Sequence, residues 1–199
     1  MFNKLFRKSV SDDTRTHLSA VERQAAGGFP TLTMAAELLA APSAMMQLDL
    51  KEARVVVRYM RPQQIAEGTV FIKEGDEANT GFMVLVLDGE VTVESIVVSR
   101  VSPITVTVLG PGSIHGDVGL MDGLPRSASC TASTDLSCAV LTRDSLMQLL
   151  KDEPRICAKL MMAISIRMGE RLRDNTDKLK KYVQLTKTMQ QEIDHLLPT

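Results

Sequence analysis

The sequence predicts an α+β protein: a set of short antiparallel strands closing into a sandwich or barrel, with helices before it and one long helix after it. Three observations carry this. Short runs rich in Val, Ile and Thr recur between turn residues from Arg54 to Leu141, which is the spacing of an all-β sandwich or barrel. From Arg155 no strong helix breaker occurs until Pro198, a length that an isolated helix does not reach without a partner surface. Ahead of the strands, Thr31 to Ala41 is rich in alanine and leucine, the best helix formers.

The elements follow in chain order. Residues 1 to about 30 are polar, end in Gly27-Gly28-Phe29-Pro30, and read as a loosely ordered leader. Within it Phe2, Leu5 and Phe6 share a helical face beside Lys4, Arg7 and Lys8, either a frayed basic tail or a weak anchor to a membrane or partner. The tip is too short and too charged for a secretion signal, and no run nears the ~20 apolar residues of a membrane span, so no stable membrane insertion is expected. Pro42 ends the first helix, and a second helical stretch runs to about Leu50. Strands are expected at Arg54–Met60, Val70–Lys73, Phe82–Leu87, Val91–Ser99, Ile104–Leu109, Ser127–Ser133 and Ser137–Leu141, seven runs of about eight short strands in all, with Asp88-Gly89 as a two-residue hairpin turn. A helix then opens at Thr142-Arg143-Asp144-Ser145, capped by Asp144 or Ser145, and breaks at Asp152-Glu153-Pro154. The expected organisation is a leader with helices over 1–50, the β-domain over 51–153, and the long helix over 154–199.

Composition narrows the function classes. With 199 residues and a 44% hydrophobic fraction, the chain buries a core without a disulfide or metal staple. A net charge of −1 gives no whole-molecule attraction to nucleic acid. Cys130, Cys138 and Cys157 are scattered and odd in number, which fits small buried hydrophobes in a reducing cytoplasm. His17, His115 and His195 lie far apart, so a metal-dependent jelly-roll enzyme lacks its ligand cluster. No phosphate-binding loop, zinc-protease motif or nucleophile elbow occurs, and the chain is not expected to be an enzyme.

The chemistry concentrates between Gly110 and Ala132, Gly-Pro-Gly-Ser-Ile-His-Gly-Asp-Val-Gly-Leu-Met-Asp-Gly-Leu-Pro-Arg-Ser-Ala-Ser-Cys-Thr-Ala. Closely spaced glycines let the backbone approach a ligand and aim N–H groups at it. Arg126 supplies a planar, permanently charged fork suited to two phosphate oxygens. Asp117, nine residues earlier, is able to accept hydrogen bonds from sugar hydroxyls. Phosphate and sugar in one small pocket mean a nucleotide, and a single arginine matches a singly charged phosphate.

This stretch resembles the phosphate-binding cassette of the cyclic nucleotide-binding domain, the family of the catabolite activator protein and the protein kinase A regulatory subunits. The family pattern is Gly-Glu-x-(Ala/Gly)-Leu, a variable turn, then Pro-Arg-(Ser/Ala)-Ala. Gly116, Val118, Gly119, Leu120, Pro125, Arg126, Ser127 and Ala128 fit it, and Asp117 stands where the family carries glutamate. Upstream, Ile72-Lys73-Glu74-Gly75-Asp76 and Leu85 to Val93 look like the family's preceding hairpins, so the likeness runs from about Val55 to about Leu172. It implies an eight-stranded β jelly roll flanked by helices. It also implies cAMP as ligand, with cGMP possible. Arg126 would hold the phosphate, Gly116, Val118 and Gly119 would offer backbone N–H groups, and Ser127 would add a hydroxyl or N–H. Asp117 either reaches the ribose hydroxyl, directly or through water, or caps the segment that follows it. Val84 or Val86, according to strand phase, would line the base. His115 either stacks near the ligand or sits partly exposed in its loop.

Along the last helix, Leu172, Asn175, Leu179, Tyr182, Thr186, Met189, Ile193 and Leu196 alternate in steps of three and four, a heptad seam that predicts a homodimer. Met161, Ile164 and Met168 extend it toward the N-terminus past a stutter. In the family this helix closes over the ligand base, and Glu170-Arg171-Leu172 matches that helix, which places Asn175 and Thr176 at the base. Asn175 serves equally well as a register residue in the dimer seam. The function expected is thus a cyclic-nucleotide sensor that signals through its dimer helix to an unidentified protein effector. A ligand-free dimeric scaffold and a cyclic dinucleotide receptor are the alternatives. A DNA-binding regulator is not expected, because the 27 residues after Leu172 contain no glycine and a winged helix-turn-helix does not fit in them.

Overall fold

The computed structural model describes residues 29–41, 45, 47–95 and 104–196. The leader up to Gly28, the break at Pro42, the outer part of the expected Val91–Ser99 strand and Pro198 lie outside the described residues. In order, the elements are α1 (Phe29–Ala40), α2 (Leu50–Arg58), β1 (Arg61–Ile65), β2 (Val70–Ile72), β3 (Phe82–Asp88), β4 (Val91–Ser95), β5 (Ile104–Leu109), β6 (Ile114–His115), α3 (Asp117–Asp122), β7 (Ser129–Ala132), β8 (Leu136–Thr142), α4 (Arg143–Asp152) and α5 (Pro154–Leu196). Two four-stranded antiparallel sheets, ordered β1-β8-β3-β6 and β2-β7-β4-β5, make the expected jelly roll.

β3 positions the site. Its apolar run Phe82 to Leu87 is buried residue after residue, because both faces of the strand are covered. Phe82, Val84 and Val86 point into the roll with Ile72, Val91, Cys130, Cys138 and Val140. Met83, Leu85 and Leu87 point outward, into a second core built with α1, α2, α4 and the first turns of α5. The pleat therefore places Val84 and Val86 on the same interior side. All three cysteines are buried and unpaired, and burial pushes the Cys130 and Cys138 thiols up to about 12.

Four local expectations are corrected. Arg54–Met60 is not a strand, and no helix ends at Leu50: α2 begins there and includes Arg54 to Arg58. Asp49 and Glu52 form a reciprocal capping box, with Glu52 N–H donating to Asp49 at 2.9 Å and Asp49 N–H to Glu52 at 3.0 Å. Ala53, Val56 and Val57 then bury on one face, so the cap and helical spacing outweigh the valines' preference for strands. β1, which is not among the expected strands, contains Pro62 and is an edge strand paired only with β8, where proline is tolerated. The cap of α4 is Thr142, whose side chain accepts from the Ser145 N–H at 3.2 Å. The N-terminal part of the α5 stripe is not seam: Ile164 is fully buried in the domain's own core and Met161 and Met168 pack against it.

α5 is 43 residues long, about 65 Å at 1.5 Å per residue. Its first turns are tied to α2 by an ion pair between Lys159 and Glu52. α2 is tied in turn to the end of α4, where the Tyr59 hydroxyl donates to Asp152 at 2.9 Å. From Arg171 to Ile193 every residue of the helix is exposed in the single chain. Among the described residues, no helix is long and apolar enough to cross a membrane, and no group of three or more histidine, cysteine or acidic residues is placed to hold a metal ion.

Candidate ligand-binding site

The cassette folds as a short helix held against the roll by a buried arginine. Gly116 stands just before α3 at φ +80°, a left-handed conformation natural to glycine. A Cβ there would lie 2.8 Å from both Arg126 Nη1 and the Phe82 carbonyl. At Gly119 a Cβ would lie 2.6 Å from Arg126 Nη1 and 3.0 Å from the Thr80 carbonyl. The glycine spacing thus makes room for a guanidinium pressed flat on the helix backbone.

Arg126 is 5% exposed. Its main chain is anchored to the loop between β2 and β3: Gly75 N–H donates to the Arg126 carbonyl at 2.8 Å, and Arg126 N–H to the Asp76 carbonyl at 3.2 Å. Asp76 shapes that loop by accepting from Ala78 N–H at 2.9 Å and from the Asn79 amide at 3.0 Å. The loop then presents the Asn79 carbonyl to Arg126 Nε at 3.1 Å and Nη2 at 2.8 Å. Nη2 also donates to the Phe82 carbonyl at 3.0 Å, and Nη1 to the Gly116 carbonyl at 2.9 Å. The guanidinium carbon lies 4.5 Å from the centre of the Phe82 ring, a cation–π geometry. Four of the five guanidinium N–H groups are engaged by these bonds, which leaves one on Nη1.

Asp117, the first residue of α3, is 1% exposed. Its Oδ1 accepts from the Val118 N–H and from Arg171 Nη1, each at 3.0 Å. Its Oδ2 is buried and has no hydrogen-bond partner. Oδ1 thus braces the start of α3, while Oδ2 is left as an acceptor without a donor. Leaving such a group unmatched costs about 1–3 kcal/mol.

His115 is 5% exposed on two-residue β6, opposite Val84, and is thus no partly exposed loop histidine. Its Nε2 lies 3.0 Å from Ser113 Oγ and its Nδ1 3.9 Å from Cys130 Sγ. The Phe71 ring meets it edge-on, with centroids 6.4 Å apart. Burial pulls His115 down to about 4, with the Asp117 carboxylate opposing and the Arg167 and Arg171 charges adding to the shift.

Of the residues singled out in the sequence, Gly116, Asp117, Val118, Gly119 and Arg126 come together here. Ser127 is exposed and precedes β7, which begins at Ser129, so it stands at the rim and not in a strand. Asn175 and Thr176 are exposed on α5, and the Thr176 hydroxyl donates to the Leu172 carbonyl of its own helix at 2.8 Å. The helix meets the cassette one turn earlier, at Arg171. Arg167, another turn back, is half-buried, and burial lowers its pKa while the Asp117 carboxylate opposes that shift. The sequence reading gave neither arginine a role. The only available signal was two arginines four residues apart just ahead of an apolar seam, a spacing common on any solvated helix face.

Comparison with known proteins finds the same domain type that the cassette resembles. Residues 62–153 match the family described as the cyclic nucleotide-binding domain. A cyclic nucleotide-gated potassium channel of Rhizobium etli is 27% identical over 133 residues, covering 67% of this chain and 35% of the channel. A cAMP-dependent protein kinase regulatory subunit of Candida albicans is 30% identical over 104 residues, covering 52% of this chain and 21% of the subunit. The chain thus spans about a third or less of these two relatives' lengths. The crystal structure of a cyclic nucleotide-binding domain from Methylobacillus flagellatus superposes with a TM-score of 0.66 at 28% identity, covering 77% of this chain and 84% of that one.

Proposed function

For a chain whose residues 62–153 form a cyclic nucleotide-binding domain, we propose the role of a non-enzymatic sensor that binds cAMP, or cGMP, and passes occupancy through α5 to a protein effector. The observation that carries this reading is the buried, unmatched Oδ2 of Asp117, on the helix whose start Arg126 grips through the Gly116 carbonyl. A ribose hydroxyl is the donor that oxygen lacks, and a cyclic phosphate is the singly charged anion that suits one buried guanidinium. Arg126 holds the phosphate through its remaining Nη1 hydrogen. At the start of α3, beside Gly116, the Gly119 N–H adds a polar contact, and the Val118 N–H joins it by exchanging its bond to Asp117 Oδ1 for one to the ligand. The Arg171 ion pair holds the Asp117 carboxylate in place, which offsets the shorter reach of aspartate relative to glutamate. Ser127 closes the rim.

The exposed apolar stripe of α5, Leu172, Leu179, Tyr182, Met189, Ile193 and Leu196, is the seam of a parallel homodimer. In that dimer Asn175 and Thr176 lie at the level of the site and reach the base or fix the register. Three buried free thiols suit a reducing, cytoplasmic location.

Isothermal titration with cAMP and cGMP tests the reading. The wild type should bind at least one of them, and Arg126→Ala should weaken it roughly 30-fold to several thousand-fold, the on the order of 2–5 kcal/mol expected when one partner of a buried charge pair is removed. The second reading, a ligand-free dimeric scaffold, is favoured by the engagement of Arg126 with three backbone carbonyls. Absence of heat with either nucleotide, at protein concentrations far above micromolar, selects the scaffold. Binding of a cyclic dinucleotide alone selects a cyclic dinucleotide receptor.

A further inference from the structure

A second arginine grips the cassette from the far side. Arg143 is the first residue of α4, and its N–H donates to the Gly81 carbonyl at 2.8 Å. Much of the residue is exposed, but its guanidinium lies across the end of α3. Nε donates to the Leu120 carbonyl at 3.2 Å, and Nη2 to the Gly119 and Leu120 carbonyls at 3.1 and 2.9 Å. The last carbonyls of a helix lack partners within it, and a cation is favourable there; the Gly119 carbonyl is shared with the Gly123 N–H at 3.0 Å. Gly123, which ends the helix at φ +73°, is what admits this contact: a Cβ on it would lie 2.9 Å from Arg143 Nη1.

α3 is therefore clamped between two guanidiniums, Arg126 on the Gly116 carbonyl at its start and Arg143 on the Gly119 and Leu120 carbonyls at its end. Both residues rest on the same segment: the Arg126 guanidinium on the Asn79 and Phe82 carbonyls, the Arg143 main-chain N–H on that of Gly81. From that segment the Thr80 hydroxyl also donates to the Gly123 carbonyl at 3.2 Å. We propose that Arg143 is a positioning residue for the anion site. It fixes where α3 sits along its axis, and so where the Val118 and Gly119 N–H groups and the Asp117 carboxylate stand relative to Arg126, without touching ligand. This rests on the ligand reading above.

The test uses titrations of cAMP and 2′-deoxy-cAMP, or the guanine pair if cGMP binds more tightly, into wild type, Arg143→Met and Arg143→Lys. Methionine keeps the apolar stem and removes the donors. Lysine keeps the cation with a different donor geometry. The expected result is about tenfold weaker cAMP binding in Arg143→Met, with a narrower preference for the ribose over the deoxyribose ligand because Asp117 moves with α3, and Arg143→Lys in between. An unchanged affinity, or equal weakening of both ligands with the preference intact, overturns the inference while the ligand reading stands. If Arg143→Met does not fold, an unchanged preference in Arg143→Lys overturns it as well. A wild type that binds neither nucleotide overturns the ligand reading, and the inference falls with it.

Discussion

Arg126 and Gly119 act as one unit. The guanidinium sits close against α3 because residue 119 has no side chain, and a Cβ would intrude to 2.6 Å of Nη1. Arg126 has little freedom to yield, since three backbone carbonyls hold it from different directions, and the Thr80 carbonyl blocks the other side at 3.0 Å. Gly119→Ala should therefore displace the guanidinium, destabilise the fold by about 1–3 kcal/mol as overpacking does, and weaken nucleotide binding at least about tenfold. Thermal melting and isothermal titration measure the two effects. Unchanged affinity in a destabilised variant would show that the seat of the guanidinium is not what binding depends on. The importance of these residues was legible in the sequence because the cassette is local: its glycines, acid and arginine lie within eleven residues, Gly116 to Arg126. The partners of Arg126 were not, because backbone carbonyls at Asn79 and Phe82 have no side-chain signature.

At the scale of elements, α5 has two different faces. Up to Met168 one apolar face completes the core of the domain, with Met162 and Ile166 left exposed. Beyond Arg171 the apolar stripe is covered by none of the described residues: Leu179 is 62% exposed and Leu196 76%. Leu179→Glu combined with Ile193→Glu should convert the proposed dimer to a monomer, since charge at heptad core positions opposes pairing. Sedimentation equilibrium measures this. A wild type that sediments as a monomer at high micromolar concentration would rule out the seam. The same periodicity runs through both parts of this helix, so residue pattern alone did not separate intramolecular core from exposed stripe. Arg54–Met60 shows the opposite failure: its valines looked like a strand, while the deciding signal was the Asp49–Glu52 capping box just ahead of it.

At the scale of the whole molecule, stability should depend on acidity through His115. The unfolded chain binds a proton on this ring below about 6.5, but the folded protein only below about 4, because burial disfavours the charged form. Between these values the unfolded state binds more protons, so stability rises with pH across the window. The contribution is complete above about 6.5 and is lost on acidification to about 4. Its ceiling is about 3 kcal/mol, since each pH unit between the two values is worth about 1.4 kcal/mol. Denaturant unfolding from pH 7 to 4.5 should show the decline, and His115→Phe should flatten it. An equally steep slope in His115→Phe would assign the decline to other groups.

By itself the sequence determined the fold class, the strand-rich domain and the cassette, because each is written in short-range signals: alternating apolar runs, turn glycines, a helix without breakers, and a dense motif. Tertiary structure alone decided what meets the motif from elsewhere in the chain. Arg171 pairs with Asp117 across 54 residues, Arg143 closes the far end of α3, and His115 is sealed inside the roll. These outcomes depend on how sheets and helices pack in three dimensions. A surface arginine and a buried, bonded one are the same letter in a sequence, and only packing takes one of them out of water and gives it partners.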